Sequence, residues 1–358
     1  MHISSLRGEQ FRNLQTFELR FHPQLNLIHG ANGSGKTALL EALYMLGRGK
    51  SFRESQTRHI ISHGQHYFRL IAELHSHSRS HLLGIERHSR DYLLRLDGEN
   101  LRSLSELAQL VPIQIINSDH FALIDQGPEH RRRFTDYGLF YHDSNFLKAW
   151  QHYQYALKNR NAALRQQWAD EYIAPWHQQL ADYGEWIDRL RQDYLADLEK
   201  TLNHYHAELG GLETLHIRYY RGWAAERPLA ELLNAHLERD RQLKHTRDGI
   251  RRAEWRIATA KDQDAAHHVS RGQQKTLTCA LILAQTQLIA EKSGKQPVIL
   301  VDDIAAELDR TRRQLLINFL LNSGSQLFIT AIESDADSQD MDAARFHIEQ
   351  GNITASKP

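Results

Sequence analysis

Gly30-Ala-Asn-Gly-Ser-Gly-Lys-Thr37 constrains this chain more than any other stretch, because it meets the pattern G-x-x-x-x-G-K-[ST] at each fixed position. Its surroundings fit as well. The apolar run Leu25 to Ile28 enters from one side and the helical run Ala38 to Met45 leaves on the other. Glycines let the backbone curl so that successive N–H groups of Gly30, Ala31, Asn32, Gly33, Ser34 and Gly35 face one point, and the helix start adds partial positive charge there. A polyphosphate is the ligand such a loop suits. Lys36 would reach the β- and γ-phosphates, and the Thr37 hydroxyl would sit on Mg²⁺.

The 358 residues suffice for one large or two ordinary domains with a buried core. Lys+Arg and Asp+Glu are 44 each, so any nucleic-acid contact has to use a local basic patch rather than bulk charge. The single cysteine, Cys279, rules out an internal disulfide and a thiolate zinc site and suits a reducing cytoplasm. Histidines number 23 but show no metal-ligand spacing. The first residues lack a basic region followed by an apolar stretch, and the greasiest segment, Cys279 to Ala290, is too short to span a bilayer.

Periodicity divides the chain. Phe17–Phe21, Leu25–Ile28, Tyr67–His75, His81–Glu86, Tyr92–Leu96 and Pro112–Ile116 read as strands, several of them forming a small antiparallel sheet. From Asn145 to Glu208 the pattern is helical, with Pro175 expected in the first turn of a new helix. Trp176, Leu180, Tyr183, Ile187, Leu190 and Tyr194 recur at spacings of four and three, a seam for packing a short antiparallel arm. The last hundred or so residues alternate: helix Gln273–Glu291, strand Pro297–Val301, helix Arg312–Leu321, strand Gln326–Thr330 and strand Arg345–Ile348. Such alternation predicts an α/β fold with a parallel sheet.

Strand Val298–Val301 ends in Asp302-Asp303, and the C-terminal edge of a parallel sheet is where ligands bind. Asp302 suits the magnesium-holding role that follows such a strand, and Asp303 the orientation of an attacking water. Ser270-Arg-Gly272-Gln273 opens a long helix and makes a second anion-facing helix terminus; a plain serine cap explains Ser270 but not the whole set. Three basic clusters are candidate phosphate contacts: Arg48 to Arg58, Arg131 to Arg133, and the stretch from Arg239 to Lys261.

Gly30–Thr37, Ser270–Gln273 and Asp302-Asp-Ile-Ala-Ala-Glu-Leu-Asp309 together resemble the ABC-type ATPase head. Within that group the chain is similar to the RecF family over essentially its whole length. The further marks are Phe11–Leu14, Gly47–Arg53, Gly127–Phe134, Lys158–Leu164, Glu238–Leu243 and Val269–Gln273. Gly249-Ile-Arg-Arg-Ala-Glu254 departs from the family's usual wording, and the glutamine loop, near Gln114 to Asp119, has no unambiguous counterpart. The resemblance implies lobe I from residues 1–120 and 296–358 and an inserted helical lobe II from residues 121–295. It implies ATP and Mg²⁺ as cofactors, with Lys36, Ser270, Asp302 and Asp303 in catalysis. Gly30 to Thr37, Ser270, Gly272 and Gln273 would bind nucleotide, and Thr37 and Asp302 the metal. It also implies an ATP-dependent homodimer on single- or double-stranded DNA, slow DNA-stimulated hydrolysis, work at gaps with RecO and RecR, and a link to the SOS response. Two rivals remain: a transporter's nucleotide-binding subunit, against which the helical arm speaks, and a chromosome-tethering ATPase, which would carry a longer coiled coil.

Overall fold

In strand β4, Tyr67–Ser76, the alternate residues Phe68, Leu70, Ala72 and Leu74 are all fully buried, the period-2 mark of a strand with one face in the core. The computed structural model describes residues 1–76, 79–118, 123–211, 213–303, 308, 310–331 and 341–356. The chain forms two compact units, Met1–Phe121 with Ile289–Pro358, and Ala122–Leu288.

The first unit holds two sheets. Strands β1 (His2–Glu9), β2 (Phe17–Arg20), β4, β5 (Arg79–His88), β6 (Tyr92–Leu96) and β7 (Glu99–Asn100) make an antiparallel sheet in the order β2-β1-β4-β5-β6-β7. Strand β1 was not anticipated. A register shift between Ile3 and Ser5 breaks its alternation, so the buried Ile3 and Leu6 fall out of phase in the sequence. The second sheet runs β14-β13-β3-β12-β11-β8. Its members are β3 (Leu25–His29), β8 (Ile113–Ile116), β11 (Val298–Val301), β12 (Gln326–Ala331), β13 (Ala344–Glu349) and β14 (Asn352–Ser356). The ladder is parallel from β13 to β8, and only β14 pairs antiparallel. All four residues of β11 are fully buried, as expected for a strand covered on both faces. Helix α1, Lys36–Arg48, is buried from Ala38 to Gly47, and one apolar cluster joins it to residues of both sheets. Helix α2 is Leu104–Leu110.

The second unit begins with α3 (Pro128–His142), α4 (Phe146–Arg165) and α5 (Asp170–Glu208). Strands β9 (Leu215–Tyr220) and β10 (Glu254–Thr259) pair antiparallel, with α6 (Leu229–Ala235) and α7 (Leu237–Leu243) between them in sequence. Helix α8 (Ala265–His268) precedes α9 (Arg271–Ser293); α10 (Arg310–Asn322) belongs to the first unit. Two expectations change here. Helix α5 starts at Asp170, so Pro175 lies inside it, one turn later than a first-turn position. In the expected seam Leu180, Ile187 and Tyr194 are fully buried, whereas Trp176, Tyr183 and Leu190 are only half-buried on its flank.

Among the described residues of this unit, buried arginines and aspartates are paired. Arg160 and Asp240 have no side-chain exposure and lie 2.8 Å apart, and Arg160 also donates to Thr246 Oγ1 at 2.6 Å. Arg191 forms a two-pronged contact with Asp136 and donates to the Ile250 carbonyl. The segments Lys158–Leu164 and Glu238–Leu243, both named as family marks, thus meet through one ion pair. A buried charge without its partner is strongly destabilising, which explains why both residue types are required.

Candidate functional site

Strand β3 ends at His29 and the loop turns at once. Gly30 has φ +152°, and a Cβ there would lie 2.2 Å from the carbonyl oxygen of Ile348 in β13. Gly35 has φ +123°, and its absent Cβ leaves room for Leu14. No L-residue with a side chain fits either position without displacing backbone or core. The loop is pinned from the β13–β14 turn, where the Gly351 N–H donates to the Ser34 carbonyl at 2.9 Å. The Lys36 ammonium donates to the carbonyls of Gly30, at 2.7 Å, and Ala31, at 3.1 Å. Ser34 Oγ is buried without a hydrogen-bond partner among the described residues. Asn32, Gly33, Gly35 and Lys36 of the loop line one cavity, a set of backbone groups and one cation suited to an anionic ligand.

The strand-end carboxylates arrive from two strands away. Thr37 Oγ1 donates to Asp302 Oδ1 at 3.3 Å, and Thr330 Oγ1 on β12 donates to the same oxygen at 2.9 Å. Thr330 Oγ1 in turn accepts from the Asp303 N–H at 2.9 Å, so one hydroxyl fixes both acids. Asp303 takes the left-handed conformation, φ +49°, which turns the chain sharply after Asp302. Burial first, and the neighbouring Asp303 carboxylate after it, raise the Asp302 pKa against the lowering effect of the Thr330 and Thr37 hydrogen bonds. The raised pKa reflects burial above all, and the Thr37 hydroxyl and Asp302 carboxylate set side by side are oxygen ligands that would suit a divalent cation. Lys36, Thr37, Asp302 and Asp303 line a single cavity of 510 Å³.

Four further residues line that cavity and were not read as nucleotide-site residues: Asn13, Ala38, Arg53 and Ser118. The signal for the first lay in Phe11–Leu14. Arg12 makes a two-pronged contact with the fully buried Glu41 of α1 and donates to the His59 carbonyl, which holds Asn13 at the cavity wall. Gly47–Arg53 works the same way. Ser51 Oγ donates to Glu41 and accepts from the Arg53 and Glu54 N–H groups, and Phe52 packs edge-on against Tyr44. Arg53, placed by sequence in a DNA-facing cluster, is thereby a wall of the cavity. Gln114 is buried in β8 with its amide nitrogen unpartnered among the described residues. Asp119, Ile304–Glu307 and Asp309 lie outside the described residues.

Ser270 and Gln273 stand in the second unit, where each caps the other. Ser270 N–H donates to Gln273 Oε1 at 2.8 Å, and Gln273 N–H donates to Ser270 Oγ at 3.3 Å. This reciprocal cap starts α9 and leaves Ser270, Arg271, Gly272 and Gln273 all exposed. The serine cap that explained one residue therefore explains two. The exposed Gly272 is not needed for it, and what the exposed turn faces is the functional question.

The basic clusters fare unevenly. Arg131 is 7% exposed; it pairs with Glu254 and donates to the carbonyls of Leu123, Ile124 and Gln126. It ties α3 to β10, so it is not a DNA contact, and Glu254 of the departing segment is its partner. Arg132 donates to the Ala253 carbonyl and Arg133 pairs with Glu129. In the third stretch, Arg239, Arg241 and Arg256 are engaged by Asp248, Asp170 and Asp264. Lys244, Arg247, Arg251, Arg252 and Lys261 are exposed.

Comparison with known proteins addresses family and fold. The model of the RecF/RecN/SMC N-terminal domain matches residues 2–354. Relatives from Escherichia fergusonii and Escherichia coli O7:K1, each called "DNA replication and repair protein RecF", are 38% identical over 361 residues, covering 99% of this chain and 100% of theirs. A structure described as that of the recombination mediator protein RecF with ATP in the RecFOR pathway superposes with a TM-score of 0.90. It is 25% identical and is covered to 98%, against 99% of this chain. An SMC head bound to the C-terminal winged-helix domain of ScpA has a TM-score of 0.60 at 14% identity, a likeness of fold alone. Among the described residues no helix is long and apolar enough to cross a membrane.

Proposed function

The chain belongs to the RecF family of DNA replication and repair proteins, and from that premise we propose that it is an ATP-dependent DNA-binding ATPase of recombinational repair and replication. The observation that carries the reading is the single cavity in which Lys36, Thr37, Asp302 and Asp303 converge under the phosphate loop. ATP is the nucleotide named for the solved relative. Bound there, its phosphates would lie along the loop amides from Gly30 to Gly35 with Lys36 on the terminal phosphates. Thr37 and Asp302 would hold Mg²⁺, which supplies charge neutralisation. Asp303 orients the attacking water.

The exposed Ser270–Gln273 turn completes the site in trans. In this reading it closes on the γ-phosphate held by a second copy, so two nucleotides join two chains on DNA, and slow hydrolysis releases them. Lobe I is residues 1–120 and 296–358, and lobe II is residues 121–295. The family supports work at gapped DNA with RecO and RecR, a part in SOS induction, and a cytoplasmic location. The exposed Lys244, Arg247, Arg251, Arg252 and Lys261 are the cations best suited to duplex phosphates, since among the described residues no acid pairs with them as Glu254 and Glu129 do with Arg131 and Arg133.

Calorimetry tests the site. Lys36→Ala removes a charge-assisted contact worth about 1.5–3 kcal/mol. ATP affinity should fall by about ten- to a hundredfold. Unchanged ATP binding in the folded variant would overturn the assignment.

A further inference from the structure

Helix α4 and the first half of α5 pack as an antiparallel pair, and one flank of that pair is lined with aromatic rings. On α5, Tyr172, Trp176, Tyr183 and Trp186 recur at intervals of four, seven and three, which keeps them on one stripe. On α4 the matching flank carries His152 and Tyr155. The two flanks meet ring to ring: His152 stacks on Tyr183 at 4.8 Å with the planes 9° apart, and Tyr155 meets Trp176 edge-on at 5.8 Å. Tyr183 continues to Trp186 at 6.4 Å, and at the far end Trp168 meets Tyr172 at 6.4 Å. The stripe is open to water at Tyr155, Trp168 and Tyr172 and half-buried at Trp176, Tyr183 and Trp186. Tyr155 is 59% exposed, Trp168 43% and Tyr172 60%.

We infer that this flank is a stacking platform for single-stranded nucleic acid, an inference that rests on the DNA-binding reading above. Chemistry favours that occupant over an apolar protein face. The rings carry hydroxyl, indole and imidazole edges, and such faces accept any base. Helix α4 has no carboxylate in its 20 residues, while Lys148, Lys158 and Arg165 on it are exposed. Of the acids near the stripe, Asp170 is paired with Arg241, Asp182 and Glu185 accept from Gln178 and the Leu229 N–H, and Glu171 is an exposed acid beside Tyr172. From Tyr172 to Trp186 the stripe extends roughly 21 Å along the helix at 1.5 Å per residue, and Trp168 adds to it before the first turn. That is room for several successive unstacked bases. A duplex, whose bases are already stacked inside, would gain nothing from these rings.

The test uses the full chain with fluorescein-labelled oligo(dT) and a duplex of the same length, followed by anisotropy across a salt series. Tyr155→Ala, Trp168→Ala and Tyr172→Ala replace exposed side chains, and circular dichroism confirms that each variant folds. The expected result is a loss of about tenfold in oligo(dT) affinity for each ring removed. The slope of log affinity against log salt should stay as in the wild type, because no phosphate contact is lost. Duplex affinity should not move. Oligo(dT) affinity unchanged in the triple variant, with duplex binding intact, would overturn the platform and leave the DNA-binding reading standing. An equal loss on both probes with a flattened slope would also overturn it, by showing a phosphate surface. Wild-type protein that binds neither probe, with or without ATP, would defeat the DNA-binding reading itself.

Discussion

Two adjacent carboxylates at one strand end are held differently, and that difference predicts different phenotypes. Asp302 accepts from both Thr37 and Thr330, whereas Asp303 is fixed through its backbone and leaves its side chain at the cavity. Asp302→Asn should weaken Mg²⁺-dependent ATP binding, because a hard cation prefers a charged oxygen. Asp303→Asn should bind ATP as the parent does and turn it over more slowly. Equal loss of binding in both, measured by titration calorimetry, would contradict this division. Away from the site, Arg160→Met leaves the buried Asp240 with the longer 3.5 Å contact to Arg239 and should cost about 3–5 kcal/mol in denaturant unfolding. Arg160→Met with Asp240→Leu should recover most of that loss. An unshifted midpoint in the single variant would show the pair to be dispensable. At this scale the sequence was legible where a residue's chemistry is local. Gly30 to Thr37 and Asp302-Asp303 belong to continuous motifs. Asn13 and Arg53 were not legible as walls of the cavity, because they reach it only through the buried carboxylate of Glu41. Arg131 was misread for the same reason: its partner, Glu254, lies far along the chain.

At the scale of elements, strong periodicity was enough. The strands Tyr67–Ser76 and Val298–Val301 and the helix Arg271–Ser293 stand close to where their patterns placed them. Elements whose phase is disturbed escaped. Strand β1 is broken by its register shift, and β10 alternates charged with buried residues inside an arginine-rich stretch that reads as a basic surface. Helix α9 offers the sharpest test of an element's role, because its first turn has both a structural and a proposed functional duty. Ser270→Ala removes the cap and should cost about 1 kcal/mol of stability. Ser270→Asp keeps a capping oxygen, so thermal stability should hold, yet it sets a carboxylate where the partner's γ-phosphate would lie. ATP-driven self-association should then fail while ATP binding by the single chain persists. If Ser270→Asp associates normally, the reciprocal cap with Gln273 is the whole purpose of the turn.

For the whole molecule, one phosphate loop and one exposed signature turn sit on the same chain but in different units. In the proposed reading a second copy would finish the site, and nucleotide binding would then drive assembly. The measurement that tests this most directly is the sedimentation mass of the protein with and without ATP and Mg²⁺. The account predicts a 41.6 kDa species alone and a species of twice that mass with ATP and Mg²⁺. It also predicts that Lys36→Ala remains at the lower mass under both conditions. A mass indifferent to ATP in protein shown to bind it, or a Lys36→Ala chain that pairs like the parent, would contradict the account.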